Sequence, residues 1–225
     1  MQVDLLKETQ DVSVGKAPIN TLLTHDIVKS HIGERDGSVL DLGFGGFYIH
    51  DGKILPHAVN LFNFYGKNYF KLVGYDTFYI NGQTHYDIDW SPERIRCELE
   101  KTLQLQNKIN NGTSHADINN LELHIGRKDG DVTRIDLFGD GFDVVICSKI
   151  LHFLHPTNRG QFVDKIWNCM NPGGLLHVVI NEKGAYPLPK RQLLHILKDF
   201  DVVENSWAYD NYNGQIAAIF IKPTS

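Results

Sequence analysis

The chain has 225 residues, 42% of them hydrophobic and 22% charged, with a formal net charge of −5 and a pI near 6.1. That size and composition suit one soluble α/β domain, and the acidic balance argues against a general nucleic-acid binder, whose surface must neutralise phosphates. No apolar run approaches the roughly 18 residues of a membrane span, and the start, Met1 to Glu8, lacks the blocks of a signal peptide.

Asn20 to Ile32 reads as a helix, with Leu22, Leu23, Ile27, Val28 and Ile32 at helical spacing. Val39, Leu40 and Leu42 read as a short buried strand. Asp41 lies near its end, and Gly43, Gly45 and Gly46 follow at once. A strand-to-glycine turn lets a ligand approach the backbone where a Cβ would block it. Residues 47–56 contain the hairpin-type turn Asp51-Gly52, and Pro56 opens a helix through Ala58, Val59, Leu61 and Phe62. Phe70 to Tyr75 is a second strand, ending at Asp76. Residues 77–90 are rich in turn formers, Asn81-Gly82 among them. Ser91-Pro92-Glu93 starts a helix with the stripe Ile95, Leu99 and Leu103, and Leu121 to Ile125 is a third strand.

The second half is more regular. Phe142 to Cys147 is an apolar run broken only by Asp143, as in a strand buried on both faces. A helix from about Asn158 carries Phe162, Val163, Ile166, Trp167 and Met170 on one face, and Asn171-Pro172-Gly173-Gly174 stops it. Leu175 to Ile180 is a further buried strand, and Pro189 opens a helix through Leu193, Leu194 and Leu197. Val202–Tyr209 and Gln215–Ile221, separated by the turn Asp210 to Gly214, form an antiparallel hairpin. Strand–helix alternation predicts a doubly wound, mostly parallel sheet of about seven strands closed by that hairpin. The cysteines Cys97, Cys147 and Cys169 lack metal spacing and read as reduced cytosolic thiols, the last two in the interior.

Ligands of such sheets bind beyond the carboxyl ends of the strands. The residues to inspect are therefore Gly43 to Gly46, Asp76, Gly130-Asp131, Ser148 to His155 and Asn181-Glu182. Four blocks then carry a family resemblance: Val39 to Gly46; Gly130-Asp131-Val132-Thr133-Arg134-Ile135 with Phe142-Asp143-Val144-Val145; Ile150 to Leu154; and Asn171 to Leu176. In this order the chain resembles the class I S-adenosylmethionine-dependent methyltransferases, especially small-molecule members of the methyltransferase-11/25 and tellurite-resistance-like groups. The resemblance spans residues 24–221 and implies a Rossmann-like fold.

The resemblance implies roles one position at a time. Gly43, Gly45 and Gly46 would pass under the amino-acid part of S-adenosylmethionine, with Asp41 holding the loop or the amino group. Asp76 would accept from the ribose hydroxyls. Asp131 would meet the adenine amino group and Val132 the ring, and Ser148 and Lys149 would line the methionine end. The chain departs from the family pattern at Phe44 and Phe47, where small residues are usual. Asp87, in Asp87-Ile88-Asp89-Trp90-Ser91-Pro92, is a rival to Asp76.

Other readings stand beside this one. A dinucleotide turn wants glycine at position 48, where Tyr48 stands. His152 and His155, three apart, invite a metal, but His177 lies in a strand and should point into packed core or the opposite face, and no third ligand has suggestive spacing. His152 instead suits a substrate-pocket base after the fourth strand, against a histidine that packs or caps, and Glu182 suits a group that orients the acceptor. The expectation is thus a cytoplasmic methyltransferase for a small molecule, with no nucleic-acid or membrane partner. Residues 1–225 form one domain, with a helical N-terminal lid over residues 1–33 and insertions at 47–56 and 77–90 near the pocket. The alternative is a methyltransferase-like binding or scaffold protein without turnover, its cleft narrowed by Phe44 and Phe47. A spermidine-synthase-like transferase is a lesser alternative, lacking an acid-rich substrate motif.

Overall fold

A computed structural model describes residues 26–32, 36–43, 61–62, 68–76, 79–80, 83–84, 93, 96–97, 100–101, 116–127, 139–182, 187–210 and 214–224. In chain order these give α1 (Asp26–Ile32), β1 (Gly37–Leu42), β2 (Phe70–Asp76), β3 (Tyr79–Ile80), β4 (Gln83–Thr84), β5 (Leu121–Arg127), β6 (Phe142–Ser148), α2 (Pro156–Cys169), β7 (Met170–Asn181), α3 (Lys190–Ile196), β8 (Asp201–Val202), β9 (Ala208–Asp210) and β10 (Gln215–Ile221). Most of the expected N-terminal lid, all of 47–56 and much of 77–90 lie outside the described residues. Within 77–90, Tyr79 pairs with Thr84 and Ile80 with Gln83 in a two-stranded antiparallel ladder.

The main sheet has eight strands, ordered β5-β2-β1-β6-β7-β10-β8, with β9 also paired to β10. The contacts among β5, β2, β1, β6 and β7 are parallel, and β10 runs antiparallel to β7. This is the mostly parallel sheet with an antiparallel end that the pattern predicts. The strand order reverses beside β1, so the carboxyl ends of β1 and β6 flank a crevice of the kind in which such sheets bind ligands.

Both faces are covered, which is why the central strands read as largely apolar runs, interrupted by Asp41 in β1, Asp143 in β6 and His177 in β7. Leu40, Leu42, Val145, Cys147, Leu176, Val178 and Ile180 pack with Phe162, Val163 and Ile166 of α2 and Leu193 of α3. Val39, Leu72, Val144, Ile146, Leu175 and Ile219 pack with Val28 and Ile32 of α1. Burial pushes the thiols of Cys147 and Cys169 up to about 12, so both act as small apolar groups, whereas Cys97 is exposed.

Two local expectations shift. The Asn171-Pro172-Gly173-Gly174 turn does end α2, but it also lies within β7 as a bulge, where the register slips between Phe142↔Met170 and Val144↔Leu175. Gly174 is required there, since a Cβ would lie 2.8 Å from the Asn171 carbonyl oxygen. The expected strand Val202–Tyr209 is divided into β8 and β9. Asn205 takes φ 59° between them, and the Ser206 hydroxyl receives the Ile219 N–H at 3.0 Å, replacing a backbone partner in the ladder.

Candidate functional site

The candidate site is built where β1, β2, β6 and β7 end side by side. Leu42 is in register with Tyr75 of β2 and Cys147 of β6, so these strands terminate at one level. Gly43 follows with φ +74°, a left-handed conformation that favours glycine, and its N–H donates to the Tyr75 carbonyl at 2.9 Å. A Cβ at Gly43 would lie 2.6 Å from Ile150 Cδ1 and 3.3 Å from the Ser148 carbonyl oxygen. The β1 turn therefore abuts the loop that leaves β6, and a larger residue would have to displace the Ile150 side chain as well as adopt the left-handed backbone.

Asp41 is buried at 2% exposure, opposite Ile146 of β6 and Gly74 of β2. The glycine in the neighbouring strand leaves its flank without a side chain. Asp76 ends β2, with its backbone in register with Arg127 of β5. Ser148 ends β6, and Lys149 then takes φ 60°, turning the chain out of the sheet while its N–H still reaches the Val179 carbonyl at 2.8 Å. Burial lowers the pKa of the Lys149 ammonium, and the charge of Asp210 works against that effect. Gly45, Gly46, Asp87, Asp131 and Val132 lie outside the described residues.

His152 is buried, in the turn between β6 and α2. Its Nδ1 accepts the backbone N–H of Asn181 at 3.4 Å. In a parallel ladder, the N–H two residues beyond Val179 would seek the carbonyl of Lys149. Here the imidazole serves Asn181 instead. Burial, then the charges of Lys149 and Arg159, push the ring's pKa down to about 4, so it is neutral near pH 7. Arg159, on the first turns of α2, is itself buried and donates from Nε to the Leu154 carbonyl at 3.2 Å. Glu182 is exposed just beyond β7. Its N–H donates to the Gly214 carbonyl at 2.9 Å, and its Oε1 accepts from the Lys190 N–H at 3.3 Å at the start of α3.

Thus Asp41, Gly43, Asp76, Ser148, Lys149, His152 and Glu182 all fall at the carboxyl end of the sheet. Sequence reasoning missed Gln215, at the start of β10. Only the strand register, which sets Gln215 opposite Asn181, brings it to this end. The described residues contain no cluster of three or more metal-ligating side chains. Nor, among them, is any helix long and apolar enough to cross a membrane.

Residues 73–178, from within β2 to the middle of β7, match the family model described as a methyltransferase domain. Those residues carry the methyltransferase-domain pattern, and the sheet has the order of a Rossmann-like methyltransferase fold. The match begins after the glycine turn of β1. The chain is similar in structure to 1,6-didemethyltoxoflavin-N1-methyltransferase of Burkholderia thailandensis (TM-score 0.55, 15% identity, 97% of this chain and 84% of that one), a structure with bound 1,6-didemethyltoxoflavin and S-adenosylhomocysteine. It is also similar to the N-methyltransferase NodS of Bradyrhizobium japonicum in complex with S-adenosylhomocysteine (TM-score 0.52, 14% identity, 97% of each chain). A third similar fold is a TehB-like methyltransferase of Corynebacterium glutamicum (TM-score 0.50, 11% identity, 96% of this chain and 93% of that one). No curated protein shares significant sequence similarity with the chain.

The family uses S-adenosylmethionine. The described residues fit that group. A left-handed glycine turn closes β1, an acid ends the adjacent strand, and β6 delivers a serine and a lysine to the same level.

Proposed function

We propose that the chain transfers a methyl group from S-adenosylmethionine to a small-molecule acceptor. The observation that carries this reading is the convergence of Gly43, Asp76 and Ser148 at the carboxyl ends of three adjacent parallel strands in a methyltransferase domain. The small-molecule acceptor is supported by the Burkholderia relative and by the acidic composition, which suits metabolites better than nucleic acid. Three free cysteines suit a reducing cytoplasm.

When bound, the cofactor supplies an electrophilic sulfonium methyl; the acceptor's lone pair makes the new bond while the sulfur–carbon pair returns to sulfur. The protein's part is alignment and exclusion of water. Gly43, Gly45 and Gly46 make room for the amino-acid end, and Asp41 steadies that turn. Asp76 accepts from the ribose hydroxyls, Asp131 and Val132 take the adenine, and Ser148 and Lys149 line the methionine end. His152 and Glu182 stand on the acceptor side. Glu182, being exposed, is suited to pass the acceptor's proton to water.

Calorimetric titration with S-adenosylmethionine and S-adenosylhomocysteine tests the reading. Micromolar affinity for either supports it, and an acceptor screen with labelled methyl donor then reads turnover. No heat at millimolar ligand overturns it in favour of a binding or scaffold role.

A further inference from the structure

Around the end of β7, three side-chain atoms are shut away from solvent without a hydrogen-bond partner among the described residues: His152 Nε2, Asn181 Oδ1 and Gln215 Oε1. Their grouping follows from the backbone. Asn181 and Gln215 are directly opposed in the antiparallel pair of β7 and β10, so their side chains leave the same face, with Cβ atoms about 5 Å apart. His152 is fastened to the same residue, since its Nδ1 takes the Asn181 N–H. His152 and Gln215 are each only 6% exposed. Buried polar atoms normally find partners, and a group left without one points to a ligand, a water or a functional role.

The bond to Nδ1 also sets the tautomer. A neutral imidazole has one N–H, and an Nδ1 that accepts leaves the proton on Nε2. His152 therefore offers a donor and not a lone pair at its unpartnered atom, while Asn181 and Gln215 offer carbonyl oxygens. We propose that these three residues read the methyl acceptor, selecting a neutral group that carries both a lone pair and N–H or O–H hydrogens, such as a carboxamide, a lactam or a hydroxyl. The proposal rests on the methyltransferase reading and names its substrate class. Carboxylates and phosphates gain from the nearby positive charges but, when ionised, have no hydrogen to give the two amide oxygens, which would be left unpaired against their negative charge. Ammonium groups are disfavoured by the positive charges of Lys149 and Arg159, the same charges that act on His152. Phe153 lies against the His152 ring, with centroids 4.3 Å apart, and is 70% exposed.

The test uses the whole protein saturated with S-adenosylhomocysteine and three matched probes: nicotinamide, nicotinate and 3-(aminomethyl)pyridine. Nicotinamide is expected to bind about tenfold tighter than the acid or the amine, the worth of one or two hydrogen bonds. Asn181→Leu and Gln215→Leu are each expected to erase that preference while leaving S-adenosylhomocysteine affinity unchanged. Nitrogen NMR of the wild-type imidazole is expected to show the Nε2-protonated neutral form at pH 7. An amide that binds no tighter than its partners, a preference that survives both variants, or an Nδ1-protonated ring overturns the proposal and leaves the methyltransferase reading standing. Failure of S-adenosylhomocysteine to bind at all overturns both.

Discussion

The two ends of β6 handle their polar groups in opposite ways. At the amino end, Asp143 gathers everything near it. Its Oδ2 accepts from Ser38 N at 3.0 Å and lies 2.9 Å from Ser38 Oγ, and its Oδ1 accepts from Asn171 Nδ2 at 3.0 Å. Its own N–H donates to Ser38 Oγ at 3.0 Å, and Gly141 O accepts from Ser38 Oγ at 2.8 Å and Asn171 Nδ2 at 3.0 Å. That network clamps β1, β6 and β7 together where no chemistry is expected. At the carboxyl end, His152, Asn181 and Gln215 keep atoms without partners among the described residues. A satisfied network specifies the fold, whereas an unsatisfied one is kept at a cost to stability and marks function.

Substitutions at each end break or sharpen this contrast. The largest expected effect is Gly43→Val, where the left-handed backbone and the clash with Ile150 together cost about 3 kcal/mol or more and abolish cofactor binding. Chemical denaturation and calorimetry read both, and unchanged cofactor affinity would detach the turn from the site. Asp143→Ala strands the donors of Ser38 and Asn171 and is expected to destabilise the chain by about 2–3 kcal/mol with little change in cofactor affinity. An unaltered melting temperature would show the clamp to be inert. Asp76→Ala is expected to weaken S-adenosylhomocysteine by about 1.5–3 kcal/mol through lost charge-assisted bonds. If Asp87→Ala does so instead, the ribose partner is Asp87.

At the carboxyl end the sign reverses. Gln215→Leu removes a partnerless buried oxygen and is expected to be neutral or to stabilise by up to about 1 kcal/mol while turnover falls. A destabilised Gln215→Leu with full activity would make the residue structural. The subtlest effect is one of pH. His152 is held at about 4 against 6.5 for an unperturbed ring. Between those values the unfolded chain binds a proton that the folded chain refuses, so this contribution to stability is lost as pH falls from about 6.5 to about 4. Urea melts across that range should flatten in His152→Phe relative to the parent, and equal slopes would mean the ring is not held neutral.

Sequence alone determined much of this protein. Runs such as Phe142–Cys147 and Leu175–Ile180, six residues long and rich in Val and Ile, read as strands buried on both faces, because helices cover both sides of such a sheet. Helix starters and glycine turns marked the punctuation between elements. The ends of those strands then named Gly43, Asp76, Ser148, Lys149 and His152, since in a parallel sheet the ligand side is fixed by chain direction. Tertiary structure decided what depends on register. It split the expected strand Val202–Tyr209 because the Ser206 hydroxyl could serve Ile219 in place of a backbone group. It gave Glu182 an exposed position at the start of α3, gave His152 its tautomer through the N–H of Asn181, and set Gln215 opposite that same residue. Hydrophobic periodicity shows that a strand is buried, but which polar atoms share its end follows from pairing across strands far apart in the chain. A local pattern carries no record of that pairing.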